Sequence, residues 1–98
     1  ATRGVFGGGS ASSYSTILDY ITIQTTGNAT DFGDLTVARN GLAACADATR
    51  GVFGGGYAGS GVGRLNTLDY ITIATTGNAT DFGDLTLARN SLAACSGN

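Results

Sequence analysis

The sequence predicts an all-β protein, a β-propeller made of four-stranded antiparallel blades, and three observations support this fold class. ATRGVFGGG begins the chain at residue 1 and returns at residue 48, and a repeat length of about 50 residues is typical of propellers and solenoids. No segment has apolar residues at the i, i+3, i+4, i+7 spacing of an amphipathic helix. Short apolar runs alternate instead with turns rich in Gly, Asn and Asp, as in antiparallel sheets.

Two repeats, predicted to span 1–47 and 48–98, share almost all of their motifs. LDYITI occurs at 18–23 and 68–73, and TTGNATDFGDLT occurs at 25–36 and 75–86. The loop before LDYITI differs, reading SASSYSTI in the first repeat and YAGSGVGRLNT in the second. Because recognition residues concentrate on loops rather than on repeated strands, this unequal loop is the candidate binding region.

Four strands are predicted for each blade, and one complete set lies in the middle of the chain. In order they are GLAAC at 41–45, RGVFGG at 50–55, TLDYITIA at 67–74 and ATDFGDL at 79–85. In LDYITI, one face has Leu68, Tyr70 and Thr72, and the other has Asp69, Ile71 and Ile73. Neither face is plainly polar, so the sheet is predicted to be covered on both sides, as a propeller blade is by its neighbours.

The predicted core consists of the apolar strand residues of both repeats. In the second repeat these are Val52, Phe53, Leu68, Tyr70, Ile71, Ile73, Phe82 and Leu85, and in the first Val5, Phe6, Leu18, Tyr20, Ile21, Ile23, Phe32 and Leu35. Cys45 and Cys95 occupy equivalent positions without the CxxC spacing of a metal site. Each is predicted to be a small buried residue with a free thiol. A disulfide joining the repeats is the alternative.

The composition excludes several classes of function. The chain has no Lys, Glu, His, Met, Pro or Trp, and its formal net charge is −2. It therefore has no basic stripe for nucleic acid and no polybasic patch for a membrane surface. Without His and Lys, the commonest general bases are missing, and no Ser or Cys has an evident activating base. We expect neither enzyme activity nor a cofactor.

Several short motifs have a chemical interpretation that is weaker than the structural one. The GGG runs lack the GxxxxGK[ST] pattern and following helix of a phosphate-binding loop. The DFG tripeptides lack the Lys and partner motifs of a kinase. The Asp31/Asp34 and Asp81/Asp84 pairs offer too few oxygen ligands for calcium, so no metal site is expected. NAT at 28–30 and 78–80 is interpreted as turn chemistry rather than a glycosylation site.

The order of these motifs resembles the kelch repeat. It runs through Arg39, LAAC at 42–45, GVFGGG at 51–56, LDYITI at 68–73 and DFGDL at 81–85, and Arg89 starts the next unit. The paired glycines of the family correspond to Gly54 and Gly55, whereas its usual fourth-strand Trp is replaced by Phe82. The whole sequence is also similar to repeat arrays in virion structural proteins of tailed phages, notably phages of marine cyanobacteria.

These resemblances imply a non-enzymatic virion appendage or decoration module, located on the virion or outside the cell. Its variable loops would bind a host surface, with a glycan as the tentative ligand. Tyr14, Tyr57 and Arg64 are the candidate ligand-binding residues, since Tyr and Arg are good anchors at interfaces. A solvated loop that binds nothing is the alternative. For the whole chain, the alternatives are a purely structural fibre repeat and an excised or engineered propeller fragment that self-assembles.

We also expect the chain to associate with itself. Its opening strand is the second of a blade, and its closing LAAC segment is the first strand of another. The closing strand of one copy would therefore complete the opening blade of the next. Such a head-to-tail contact either closes into a ring or continues as an open array. Closure with three or four chains would give six or eight blades, within the known range of propellers. The alternative is that the 98 residues are a window on a longer array.

Overall fold

The computed structural model describes residues 2–96, and this part of the chain contains β-strands, turns and connecting segments but no helix. The all-β prediction is therefore confirmed. In chain order the strands are β1 Arg3–Gly7, β2 Ile17–Thr22, β3 Thr30–Asp34, β4 Ala43–Ala46, β5 Arg50–Gly54, β6 Thr67–Thr72 and β7 Thr80–Asp84. Residue 1 and residues 97–98, at the outer limits of the two predicted repeats, lie outside the described residues.

The strands form two antiparallel sheets. The first sheet has the order β1-β2-β3, and the second has the order β4-β5-β6-β7. The registers correspond, since Val5 pairs with Tyr20 in the first sheet and Val52 pairs with Tyr70 in the second. Both sheets also have an irregularity at the same place, directly after the Leu of LDYITI. The repeated sequence therefore forms the same local structure twice.

Each sheet has two faces, which we name by the residues of LDYITI that occupy them. The Asp–Ile face contains Asp19 and Ile21 in the first sheet and Asp69 and Ile71 in the second. The Leu–Tyr face contains Leu18 and Tyr20, or Leu68 and Tyr70. Successive side chains of a strand point to opposite faces, so these two sets are on opposite sides of each sheet.

The sheets pack together through unlike faces. The core joins Leu18, Phe32 and Leu35 of the first repeat to Phe53, Ile71, Ile73 and Ala79 of the second. The Leu–Tyr face of the first sheet therefore lies against the Asp–Ile face of the second. Within residues 2–96, the Asp–Ile face of the first sheet and the Leu–Tyr face of the second carry no third sheet.

This arrangement corrects the predicted core. Phe6, Ile23 and Phe82 were predicted to be buried but are 63 %, 62 % and 51 % exposed. Their counterparts in the other repeat, Phe53, Ile73 and Phe32, are nearly fully buried. The sequence around each pair is the same, so the difference arises from which face has a neighbouring sheet. The remaining predicted core residues that are not fully buried are half-buried: Val5, Tyr20, Ile21, Val52, Leu68, Tyr70 and Leu85.

The cysteines differ from their predicted burial. Cys45 is half-buried on β4, where it pairs with Val52, and Cys95 is exposed and lies outside the strands. Both thiols are free. The prediction that both are buried is therefore wrong for Cys95, because no strand of the described residues pairs with that segment.

Asp47 forms the turn that joins β4 to β5. Its carboxylate oxygen Oδ1 accepts hydrogen bonds from the backbone N–H groups of Thr49 and Arg50, at 2.8 and 2.7 Å. The bonds from Arg50 and Thr49 stabilise the charged form and hold the pKa of Asp47 below its usual value of 3.8. Asp47 is the one Asp without a counterpart in the other repeat, and its role is to form this turn.

Candidate functional site

The structure brings the three predicted binding residues together where the two variable loops meet. The rings of Tyr14 and Tyr57 pack edge to face, with centroids 5.9 Å apart and planes at 78°. Tyr57 in turn faces Arg64 across an isolated antiparallel bridge within the longer loop. Gly59 lies against the ring of Tyr14, where a Cβ would come within 3.2 Å of a ring carbon.

The longer loop is anchored to both repeats rather than free in solvent. The backbone of Tyr57 exchanges two hydrogen bonds with that of Asn40, with N···O distances of 2.8 and 3.0 Å. The exposed Arg64 donates from Nε to Oδ1 of Asn90 at 3.3 Å. Both tyrosines are half-buried and Arg64 is exposed, so all three residues remain at least partly accessible. The loops thus bring two tyrosines and an arginine to one part of the molecule.

A second cluster, which sequence reasoning missed, lies at the contact between the sheets. Asp69 of β6 is fully buried, and its carboxylate accepts hydrogen bonds from two residues of the first repeat. Thr36 donates from its backbone N–H at 3.0 Å and from its hydroxyl at 2.7 Å to Oδ2. Arg39 donates from Nη2 at 3.3 Å, which forms an ion pair. We call Asp69, Thr36 and Arg39 the Asp–Thr–Arg cluster, and it joins the two repeats.

Arg39 is as buried as the carboxylate that it contacts. Its Nη2 also approaches the carbonyl oxygen of Phe53, at 3.5 Å, whereas Nε and Nη1 have no protein acceptor among the described residues. Burial lowers the pKa of Arg39 from its usual value, and the charge of Asp69 opposes that change. An arginine stays protonated in proteins, so the buried guanidinium depends on Asp69 for charge compensation.

The second repeat also covers the edge of the first sheet. The N–H groups of Gly77 and Ala79 donate to the carbonyl oxygens of Phe32 and Asp34, both at 2.8 Å. Oδ1 of Asn78 accepts the N–H of Asp34 at 3.1 Å. Residues 77–79 thus run along the outer edge of β3. Gly33 permits this approach, because a Cβ there would overlap the carbonyl group of Gly77.

Every part of this contact has a counterpart that is not engaged within residues 2–96. Asp19 corresponds to Asp69 and lies half-buried on the uncovered Asp–Ile face of the first sheet. Thr86 and Arg89 correspond to Thr36 and Arg39, and both are exposed. A Cβ on Gly83, the counterpart of the crowded Gly33, would meet nothing within 4 Å. The chain therefore has one complete contact between its two repeats. It also has, on two separate surfaces, the residues that would form a second contact of the same kind.

The remaining acidic residues do not form a site. Asp31, Asp34, Asp81 and Asp84 are exposed, and the described residues contain no group of three or more His, Cys, Asp or Glu side chains placed to hold a metal ion. No helix long and apolar enough to cross a membrane occurs between residues 2 and 96.

A signal for the Asp–Thr–Arg cluster was present in the sequence. In both repeats an Asp interrupts an apolar face in LDYITI, and an Arg recurs in ARN. A buried carboxylate needs a charged or hydrogen-bonding partner, and the Arg of ARN is one of the two arginines that recur in both repeats. Sequence reasoning instead took the repeated Asp residues as part of the blade and looked for function in the loops.

The fold and these contacts define a class, namely a repeat protein whose antiparallel β-sheets stack through unlike faces. The chain matches no protein-family model, and no curated protein is significantly similar to it.

Proposed function

We propose that this chain is a non-enzymatic structural repeat module, a pair of kelch-like propeller blades in a virion appendage or decoration structure. The observation that supports this most directly is the contact between the sheets. Its apolar core, the Asp–Thr–Arg cluster and the edge contact of residues 77–79 are all built from repeated sequence. Because the contact is built from repeated sequence, the same contact can form again when further repeats are added.

The proposed location outside the cell or on a virion rests on two features of the sequence. One is the expected resemblance of its motifs to repeat arrays of tailed-phage virion proteins. The other is its composition, since charged residues make up 12 % of the chain, against a typical share of about 25 %. Small hydroxyl, amide and glycine residues take their place.

A tandem protein tests the structural role. Two copies of the chain joined in sequence contain four repeats and are expected to unfold at a higher urea concentration than one copy. The physical reason is that neighbouring repeats stabilise each other through their interfaces. Unfolding is followed by circular dichroism in dilute solution, with the single chain at the same mass concentration as the control. Equal midpoints for the two proteins would contradict the proposed role.

Recognition of a host-surface glycan by the variable loops is the second candidate function. The observation that favours it is the meeting of Tyr14, Tyr57 and Arg64, which come from both repeats. Aromatic rings provide rigid contact surface, and arginine provides hydrogen-bond donors for hydroxyl groups.

Glycan-array binding by the chain and by two loop variants tests this function. Tyr57→Ala and Arg64→Ala are each expected to weaken binding by about tenfold or more, as anchor residues do. Thr76→Ala, in the exposed TTGN turn, is the matched control and is expected to bind normally. Binding that survives both loop variants but is lost in the control would move the site to the turn, and no binding by the unmodified chain would exclude the glycan.

A further inference from the structure

We infer that the Asp–Thr–Arg cluster forms again between two copies of this chain, with Asp19 of one copy binding Thr86 and Arg89 of a second. This inference rests on the proposed structural role and identifies its partner and its contacts. The occupant of the uncovered Asp–Ile face is thus the uncovered Leu–Tyr face of another copy.

The surroundings of Asp19 match those of Asp69. Phe6 pairs directly with Asp19 across β1 and β2, as Phe53 pairs with Asp69 across β5 and β6. Directly paired residues share a face, so each carboxylate lies beside a phenylalanine. In the second sheet, that phenylalanine and Ile73 are buried by the first sheet. In the first sheet, Phe6 and Ile23 stay exposed on the face that carries Asp19, and Asp19 forms no ion pair within residues 2–96.

The complementary surface lies on the far side of the second sheet. Phe82 is 51 % exposed there, and Leu87, which lies between Thr86 and Arg89 in the segment that follows β7, is 66 % exposed. Phe82 keeps the edge-to-face contact with Tyr70 that Phe32 keeps with Tyr20, with centroids 5.9 and 5.8 Å apart. The aromatic pair on the exposed surface therefore has the same geometry as the pair that meets the Asp–Ile face inside the chain.

The backbone edges of β1 and β7 could also take part in this contact between copies. Residues 27–29 of the first copy would run along β7 of the second copy, as residues 77–79 run along β3. Residues 93–95 of the second copy would pair with β1 of the first, as β4 pairs with β5. Unpaired strand edges favour such additions. The contact joins unlike surfaces, so it closes into a ring, for which three or four chains give six or eight blades, or it continues as an open array.

Variants that reverse the charge of Asp19 or of Arg89 test the inferred contact between copies. Native mass spectrometry and sedimentation velocity of the full chain over micromolar concentrations are expected to detect oligomers. Asp19→Arg and Arg89→Asp each place like charges against each other in a contact between identical copies. Each variant alone is expected to associate at least about tenfold more weakly, because like charges at a contact oppose binding. Both residues are at least partly exposed, and circular dichroism is expected to give the same β-sheet spectrum for all three proteins.

A chain with both substitutions, Asp19→Arg and Arg89→Asp, is the decisive measurement. Every contact between its copies again places a guanidinium against a carboxylate, whatever the number of chains in the ring, so association is expected to return. Strong association of either single variant, or no recovery in the double variant, would overturn the inference. So would a monomeric unmodified chain. If that chain is monomeric while the tandem protein still gains stability, the repeat contact exists but does not form between separate copies, and the structural role stands without this inference.

Discussion

Replacing Asp69 with alanine is expected to lower the free energy of unfolding by about 3–5 kcal/mol, the usual cost of removing one partner of a buried ion pair. The cost arises because Arg39 would keep its charge in a site that is closed to water. Thr36 would also lose the acceptor for its hydroxyl and backbone N–H groups. Total stability of a domain is about 5–15 kcal/mol, so the expected loss is a large share of it.

Asp19→Ala is the matched control for this measurement. It removes the same residue from the same LDYITI motif, on a strand with the same register. Asp19 is partly exposed and forms no ion pair within the described residues, so the expected cost is below about 1 kcal/mol. Urea unfolding is followed at concentrations where the chain is monomeric. Similar costs for the two variants would contradict the special role of the Asp–Thr–Arg cluster.

The phenylalanine pair provides the second large expected effect. Phe32→Ala is expected to cost about 3–5 kcal/mol, since it leaves a cavity in the core between the sheets. Phe82→Ala is expected to cost about 1 kcal/mol, because this side chain is half exposed. Each phenylalanine packs on the tyrosine of its own sheet, so loss of that aromatic contact is common to both variants. The difference between the two losses of unfolding free energy therefore measures the contribution of burial by the neighbouring sheet.

Chemical denaturation of both variants, again as monomers, gives the two costs directly. Thermal unfolding by circular dichroism is an independent check, with the midpoint of Phe32→Ala expected well below that of Phe82→Ala. An equal loss of stability in the two variants would mean that the second sheet does not bury Phe32 in solution.

Local structure could be predicted from the sequence because its causes are local. The four strands of the second sheet were expected at 41–45, 50–55, 67–74 and 79–85, and each overlaps a strand of the structure. Alternating apolar residues and Gly, Asn and Asp turns carry this information within a few residues of each strand. The meeting of the variable loops was not expected, since contact between Tyr14 and Tyr57 depends on how the two repeats are placed.

The sequence by itself determined the two repeats, their strands and the two apolar faces of each sheet. Tertiary structure alone decided which face of each sheet is buried. Phe32 and Phe82 have the same neighbours in sequence, and so do Asp69 and Asp19, yet one member of each pair is buried and the other is not. The physical reason is that burial depends on the sheet lying opposite, and the two sheets meet through unlike faces.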